Sequence, residues 1–468
     1  MASPINALEI RGAVFNVSMP EAVWTPQNFV GFYYDLDHDL GYDSLTLRLS
    51  DAYPTRAIIS GGQDEAGNYG VIYKTNIRQL TALSNAKMGM IYGKLTVADI
   101  NSTTGMITLD NRGNQFTLSK NKTIELMPGI GLKTGYQDGT AYAPLRYYIY
   151  KKITDAGTYQ IRGTVADFMQ NQVTWDNSTF AGFYYDLDRN IGAETLTFRL
   201  SNITTKGATL SDQPNAEGYR GIVYATQAQL KKFKYRPWGQ YDVIGFLANK
   251  YFAAYDPTVT MDVANVNESV AFLYDASRNR NLMINEQISK VLIDDDSVKL
   301  VKKSIKLQEG YELVLKSVNS KGQVYLQLLK NGQLIDETFI SPPIYNTGIA
   351  DMPDKTYCFR KDLGDTNNII VIAVHFRSVY MDAEQPMAIV DGIWQISDTP
   401  TQLNINQQYG KMSIRNVDAW GMTITMDNKD NPINLARKSD IELIPSIHLR
   451  TADNETLRYY IYKTETLT

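Results

Sequence analysis

Two short loops hold the densest run of metal-capable oxygens in this chain. Asp35-x-Asp37-x-Asp39-x-Gly41 is echoed by Asp186-x-Asp188-x-Asn190-x-Gly192. Carboxylate and amide oxygens at alternating positions, with a glycine to turn the backbone, open a calcium-binding loop. The pattern departs from the EF-hand at two points. Leu40 and Ile191 stand where that loop has glycine, and Thr46 and Thr197 stand where it has a bidentate carboxylate. The plainer reading is a hairpin loop in which Asp and Asn side chains form Asx-turns. Calcium, at Asp35, Asp37, Asp39, Asp186, Asp188 and Asn190, is the one cofactor the residues raise.

Catalytic patterns are sparse. The three histidines, His38, His375 and His448, sit in unrelated contexts. Neither a His-Glu-x-x-His helix, a Gly-x-Ser-x-Gly elbow nor a phosphate-binding glycine loop is present. Gly129, Gly131 and Gly135 miss the dinucleotide spacing. His375, within Ile370-Val-Ile-Ala-Val-His-Phe376, reads as a satisfied strand histidine. Asp294-Asp295-Asp296 could supply the two carboxylates of a glycosidase, but at a strand end it reads as a solvated acidic turn. No enzyme is expected. The basic and aromatic run Lys231 to Trp238 reads as a solvated hinge with a proline stop. The net charge of −4 argues against nucleic acid as a partner.

Cys358 is the single cysteine, so no intrachain disulfide can form and it reads as a small buried apolar residue. No run of 18 apolar residues exists, so no membrane span is expected, and the opening Met-Ala-Ser-Pro has no signal-peptide pattern. Seven Asn-x-Ser/Thr sequons, at Asn16, Asn101, Asn121, Asn177, Asn202, Asn267 and Asn454, stand against about four expected by chance. They lean towards an exported chain with glycosylated loops.

The elements that must position these residues are duplicated. Trp24 to Ser50 recurs as Trp175 to Ser201, with 15 of 27 positions identical. The offset of 151 holds from Ile10-Arg11-Gly12, matched by Ile161-Arg162-Gly163, to Tyr73, matched by Tyr224. It then becomes 317, since Tyr92-Gly93-Lys94 matches Tyr409-Gly410-Lys411. The closing Arg146-Tyr-Tyr-Ile-Tyr-Lys151 returns unchanged as Arg458 to Lys463. An insert therefore interrupts the second copy. The expected domains are a first repeat at 1–155, a discontinuous second repeat at 156–231 plus 399–468, and an inserted domain at 232–398.

Period-two alternation dominates, as in Ser44-Leu-Thr-Leu-Arg-Leu-Ser50 and Met422-Thr-Ile-Thr-Met-Asp427. Asn331-Gly332 between two alternating runs predicts a tight hairpin. Helical periodicity is confined to a turn or two near Ala228 to Lys234. The fold class is all-β: tandem antiparallel β-sandwich domains, one inserted into the second repeat.

Phe-x-Gly-Phe-Tyr-Tyr-Asp-Leu-Asp at 180–188 and 29–37 resembles the opening motif of the archaeal S-layer duplication domain of Methanosarcina-type methanogens. Trp238 to Tyr255, Leu292-Ile-Asp-Asp-Asp296, Leu307-Gln-Glu-Gly-Tyr311, Asp391-Gly-Ile-Trp-Gln-Ile-Ser397 and Leu457-Arg-Tyr-Tyr-Ile-Tyr462 fit it too. The resemblance covers 155–465 as a full copy and 8–152 as a copy missing its second half. It implies paired β-sandwiches, secretion, glycosylation and self-association into a two-dimensional lattice at the cell surface. The expected function is thus a structural, self-assembling S-layer protein whose partners are copies of itself. A cell-surface adhesin is the alternative, binding glycans by stacking on Tyr33, Tyr34, Tyr184 and Tyr185. Family members usually have a signal peptide before the repeats and a membrane anchor after them, so an anchor here would lie beyond the C-terminus.

Overall fold

The computed structural model describes residues 7–76, 86–135, 143–211, 221–258, 271–342, 352–382 and 385–468. Alternation becomes strand directly. In Ser44–Arg48 the buried positions are Leu45 and Leu47, while the threonine between them points the other way. Thr195–Arg199 repeats this with Leu196 and Phe198.

The first repeat has three antiparallel sheets. Its front sheet runs laterally through Glu21–Trp24, Ser44–Arg48, Val71–Asn76, Met106–Asp110, Leu95–Asn101 and Ile91–Tyr92. Its back sheet runs through Leu8–Arg11, Arg146–Ile153, Ile130–Thr134 and Thr123–Met127, with Phe15–Asn16 also paired to Arg146–Ile153. A small sheet holds Phe116–Ser119, Arg56–Ile59 and Asp51–Tyr53. Leu47 and Leu109 of the front, Leu132 and Ile149 of the back, and Ile59 and Leu118 of the small sheet meet in one core. That is a sandwich.

The second repeat follows the same order strand for strand. Its front sheet runs Gln172–Asp176, Thr195–Arg199, Gly221–Gln227, Thr423–Asp427, Met412–Asp418 and Gln408–Tyr409. Trp24 and Trp175 anchor the two cores. Both are fully buried, and their indole nitrogens donate to Ala13 O at 2.9 Å and Thr164 O at 2.8 Å. The repeated Phe-x-Gly explains itself here. A Cβ on Gly31 would lie 2.2 Å from the Phe29 ring, and one on Gly182 would lie 2.3 Å from the Phe180 ring.

The chain divides into two compact units, one holding the first repeat and most of the second, up to residue 226 with 406–415 and 425–468, and the other holding residues 227–405 with 416–424. The second unit is also all-β. A long sheet passes through Gln229–Lys232, Gln240–Phe246, Asn249–Asp256, Gln287–Asp295, Gln385–Ile396, Thr366–Asp382 and Thr356–Leu363. A four-stranded meander holds Ser304–Lys306, Tyr311–Val318, Val324–Lys330 and Gln333–Ile340. Gln395 ties the two sheets, accepting from Gln308 N at 2.8 Å and donating to Gln308 O at 3.0 Å. Asn331 and Gly332 have φ of 51° and 82°, the two positive values that a type I′ hairpin needs.

Two expectations are corrected in this unit. Lys231 to Trp238 is not a solvated hinge: Phe233 and Trp238 are fully buried and pack edge-to-face, with centroids 6.1 Å apart. Lys231 and Lys232 are half-buried and Lys234 and Arg236 exposed, while the two aromatic rings turn inward. Nor is there a helix near Ala228 to Lys234; Gln229–Lys232 is a strand paired with Gln240–Phe246. Sheet pairing overrides so short a helical pattern.

One half-buried carboxylate gives a signed pH effect. Burial, and to a lesser extent Asp256, push the Asp242 carboxyl up to about 6. Unfolded, it titrates near 4. A raised carboxyl favours the folded state at low pH, and that stability is lost as pH rises from about 4 through 6. Asp242→Asn is therefore expected to stabilise the protein at pH 7 by about 1–2 kcal/mol, allowing for partial solvent screening, and to do nothing at pH 4. Urea titrations at the two pH values check it; equal effects at both would refute it.

Candidate functional site

The two repeats are joined by a clasp whose halves are the duplicated residues themselves. Arg11 and Arg162 occupy equivalent positions. The Arg11 guanidinium donates to Asn177 O and, at 3.4 Å, to Phe180 O of the second repeat. Arg162 donates to Pro26 O and, at 3.3 Å, to Gln27 O of the first. Pro26 and Asn177 are themselves equivalent at the offset of 151. Each guanidinium also covers a tyrosine of the other repeat: Arg11 lies 5.1 Å from the Tyr185 ring and Arg162 5.2 Å from that of Tyr34. Burial pulls both arginines down to about 10, which leaves them charged at neutral pH.

A second pair of arms uses the acidic loops. Arg458 donates to Leu36 O at 3.1 Å and Asp37 O at 2.8 Å. Its counterpart Arg146 donates to Leu187 O at 3.3 Å and Asp188 O at 3.2 Å. Asp37 gains two further donors, Asp453 N at 2.6 Å and Asn454 Nδ2 at 2.7 Å. Leu36 packs with Ala452, Tyr460 and Tyr462. On the other arm Gly135 must lack a Cβ, which would come within 2.6 Å of Leu187 O. Two equivalent patches in reciprocal contact are the signature of an isologous interface, here built within one chain.

The carboxylates proposed for calcium face different partners. Asp35 Oδ1 accepts from Asp37 N at 2.9 Å and His38 N at 3.2 Å, while its Oδ2 lies 2.7 Å from His38 Nδ1. Asp186 Oδ1 takes Asp188 N at 3.1 Å and Arg189 N at 3.4 Å in the same turn. Asp39 accepts from the Tyr34 hydroxyl at 2.6 Å and Asn190 from the Tyr185 hydroxyl at 3.0 Å. Asp39 and Asn190 sit at φ of 53° and 56°, a conformation those residue types tolerate. Among the described residues, no three His, Cys, Asp or Glu side chains form a group that could hold a metal ion.

The other sequence candidates stand apart. His375 has Nδ1 2.5 Å from Asp391 and Nε2 3.1 Å from the Tyr235 hydroxyl, so both ring nitrogens are engaged. Asp294 is buried rather than solvated, and accepts from Lys234 N at 2.9 Å and the Tyr241 hydroxyl at 3.0 Å. Asp295 is held down to about 2: burial opposes its ionisation, but Lys299 and Ser297 outweigh it. Cys358 is half-buried, its thiol pushed up to about 12 by burial. Of the proposed sugar-stacking tyrosines, Tyr34 and Tyr185 lie beneath arginines of the clasp, whereas Tyr33 is exposed.

The sequons separate by environment. Asn101, Asn121 and Asn202 are exposed, and Asn16 and Asn177 are half-buried. Asn454 is also half-buried, with the nitrogen a glycan would use bonded to Asp37 O. Asn267 lies outside the described residues. No helix of the described residues is long and apolar enough to cross a membrane.

The clasp arginines were visible only as charged residues kept identical in both repeats. Their targets are main-chain oxygens, which leave no mark in a sequence.

Comparison with known proteins gives this architecture a family. The S-layer protein family matches residues 165–453. The chain is 30% identical over 378 residues to the major S-layer protein of Methanosarcina barkeri, covering 79% of this chain and 48% of that protein. Against the Methanosarcina acetivorans protein of the same name the identity is 30% over 388 residues, covering 80% and 50%. The Methanosarcina mazei protein is 28% identical over 390 residues, with the same coverage. The chain spans about half the length of these curated relatives. A duplicated all-β chain with this match belongs to the S-layer protein family.

Proposed function

We propose that this chain is a structural component of an archaeal surface layer. Its copies assemble outside the cell into a porous two-dimensional lattice, without catalysis. The reciprocal clasp carries the reading. A lattice tile must pass stress between neighbours without deforming, and four arginines docked on main-chain oxygens lock two sandwiches into one body. Family membership supports the surface location and copies of the chain as partners. The separate settings of the three histidines support a non-enzymatic role. Immunogold electron microscopy of isolated envelopes tests it. Label over a periodic sheet is expected; label in sparse patches on a lattice of another protein would favour the adhesin.

Glycosylation is proposed at Asn101, Asn121 and Asn202, supported by their exposure. Glycopeptide mass spectrometry should find sugar at these three and none at Asn454, where attachment would consume a clasp hydrogen bond. Sugar on Asn454 would overturn the assignment. Calcium in the acidic loops is a separate proposal, supported by their duplicated spacing and not by their side-chain directions. Weak binding at tenfold excess over Kd adds about 1.4 kcal/mol, a rise of about 2–4 °C in melting temperature. A melt unchanged between millimolar calcium and chelator would leave the loops to the clasp alone.

A further inference from the structure

The two front sheets share a topology but differ at one edge. In the first repeat the outermost strand, Ile91–Tyr92, and the turn before it expose Met88, Met90 and Ile91, the last at 71%. The equivalent positions in the second repeat, 317 residues on, are Ile405, Gln407 and Gln408. Natural sheets protect free edges with polar residues, and the second repeat does so with its glutamines. The first repeat presents an apolar edge bracketed by Lys87 and Lys94.

The inserted unit contains a matching edge. Gln333–Ile340 is the last strand of the meander and exposes Leu334, Ile335 and Phe339, the last at 61%. Beside it is a cleft of about 660 Å³. One wall is Asp336 to Ile340 without a break, and the other is formed by Thr356, Tyr357, Cys358 and Arg360. Side chains alternate along a strand, so five consecutive lining residues mean that the strand's edge looks into the cleft. The opposite wall belongs to Thr356–Leu363, the last strand of the long sheet. Thr356 Oγ1 and Arg360 Nε are buried there without a hydrogen-bond partner. Both atoms are closed off from solvent, so an incoming strand would meet the unpaired edges of the two walls rather than these donors.

We infer that copies of this chain join head to tail, the Met88–Tyr92 edge of one lying along the Asp336–Ile340 edge of the next. Strand addition supplies main-chain hydrogen bonds. Met88 and Met90, flexible and unbranched, fill the cleft. Lys87 and Lys94 meet the acidic rim of Asp275, Asp336 and Glu337. Because the two surfaces differ, the contact is heterologous and propagates, as a lattice requires. The inference rests on the S-layer reading and names one of its contacts.

Sedimentation of the full chain across a concentration series tests it. The double substitution Met90→Gln with Ile91→Gln installs the residues that the second repeat already carries on the same fold. It is expected to weaken self-association at least tenfold while leaving the melt unchanged. Lys87→Glu and Glu337→Lys should each weaken association, and together restore it. If the Met90→Gln, Ile91→Gln variant associates as well as wild type, this contact is wrong and the S-layer reading stands. If wild type stays monomeric throughout, both fall.

Discussion

Arg11→Ala or Arg162→Ala is expected to destabilise the paired repeats by about 2–3 kcal/mol. Each loses hydrogen bonds from a charged donor and strands carbonyls of the opposite repeat in a buried place. The two arginines share no acceptor, so the double variant should cost close to the sum. Urea unfolding would read the loss, and calorimetry should show one transition of the paired repeats broadening or splitting as the coupling fails. Arg→Lys at either site keeps the charge but loses the planar fork, and should fall between alanine and wild type. Single variants within about 0.5 kcal/mol of wild type, the range of ordinary surface changes, would show that the clasp does not couple the repeats.

The inserted unit should fail most sharply at Asp398. Its carboxylate is almost wholly buried and receives Lys330, Lys361 at 2.5 Å and the Tyr311 hydroxyl at 2.7 Å. Lys330 and Tyr311 come from the meander and Lys361 from the long sheet, so one side chain pins both layers. Asp398→Ala leaves two lysines facing each other without a counterion and is expected to cost about 3–5 kcal/mol. The pH dependence has a definite sign. Burial opposes ionisation, but the lysines and the tyrosine outweigh it and hold the carboxyl well below the usual carboxylate range. Its stabilisation is therefore complete above about pH 4 and is lost as pH falls through the folded value. The gap between wild type and Asp398→Asn should shrink in acid. A gap constant from pH 7 to pH 3 would show that packing, not charge, sets the cost.

Much of the secondary structure was legible because it depends on local pattern. Leu45 and Leu47 alternate with polar neighbours, and any antiparallel pairing must bury them together. Asn331-Gly332 allows the positive φ of a two-residue turn and so placed a hairpin unaided. Local pattern falls short where a residue's own polarity disagrees with its neighbours. Lys231, Lys232, Lys234 and Arg236 suggest a solvated hinge, yet Phe233 among them and Trp238 just after them are core. Asp294 looked solvated and is buried beneath Tyr241, because the partner that stabilises it is 53 residues away.

The acidic loops mark the limit of what local pattern can say. Spacing alone offers oxygen ligands or an Asx-turn, and both readings use the same atoms. Tertiary structure added Arg146 and Arg458, which arrive from distant strands and take the loops' main-chain carbonyls. By itself the sequence determined that the chain is duplicated, all-β and interrupted once, since those properties follow from repetition and period. How the repeats grip each other was decided only in three dimensions. Every residue carries a carbonyl oxygen, and only the fold selects which ones meet an arginine.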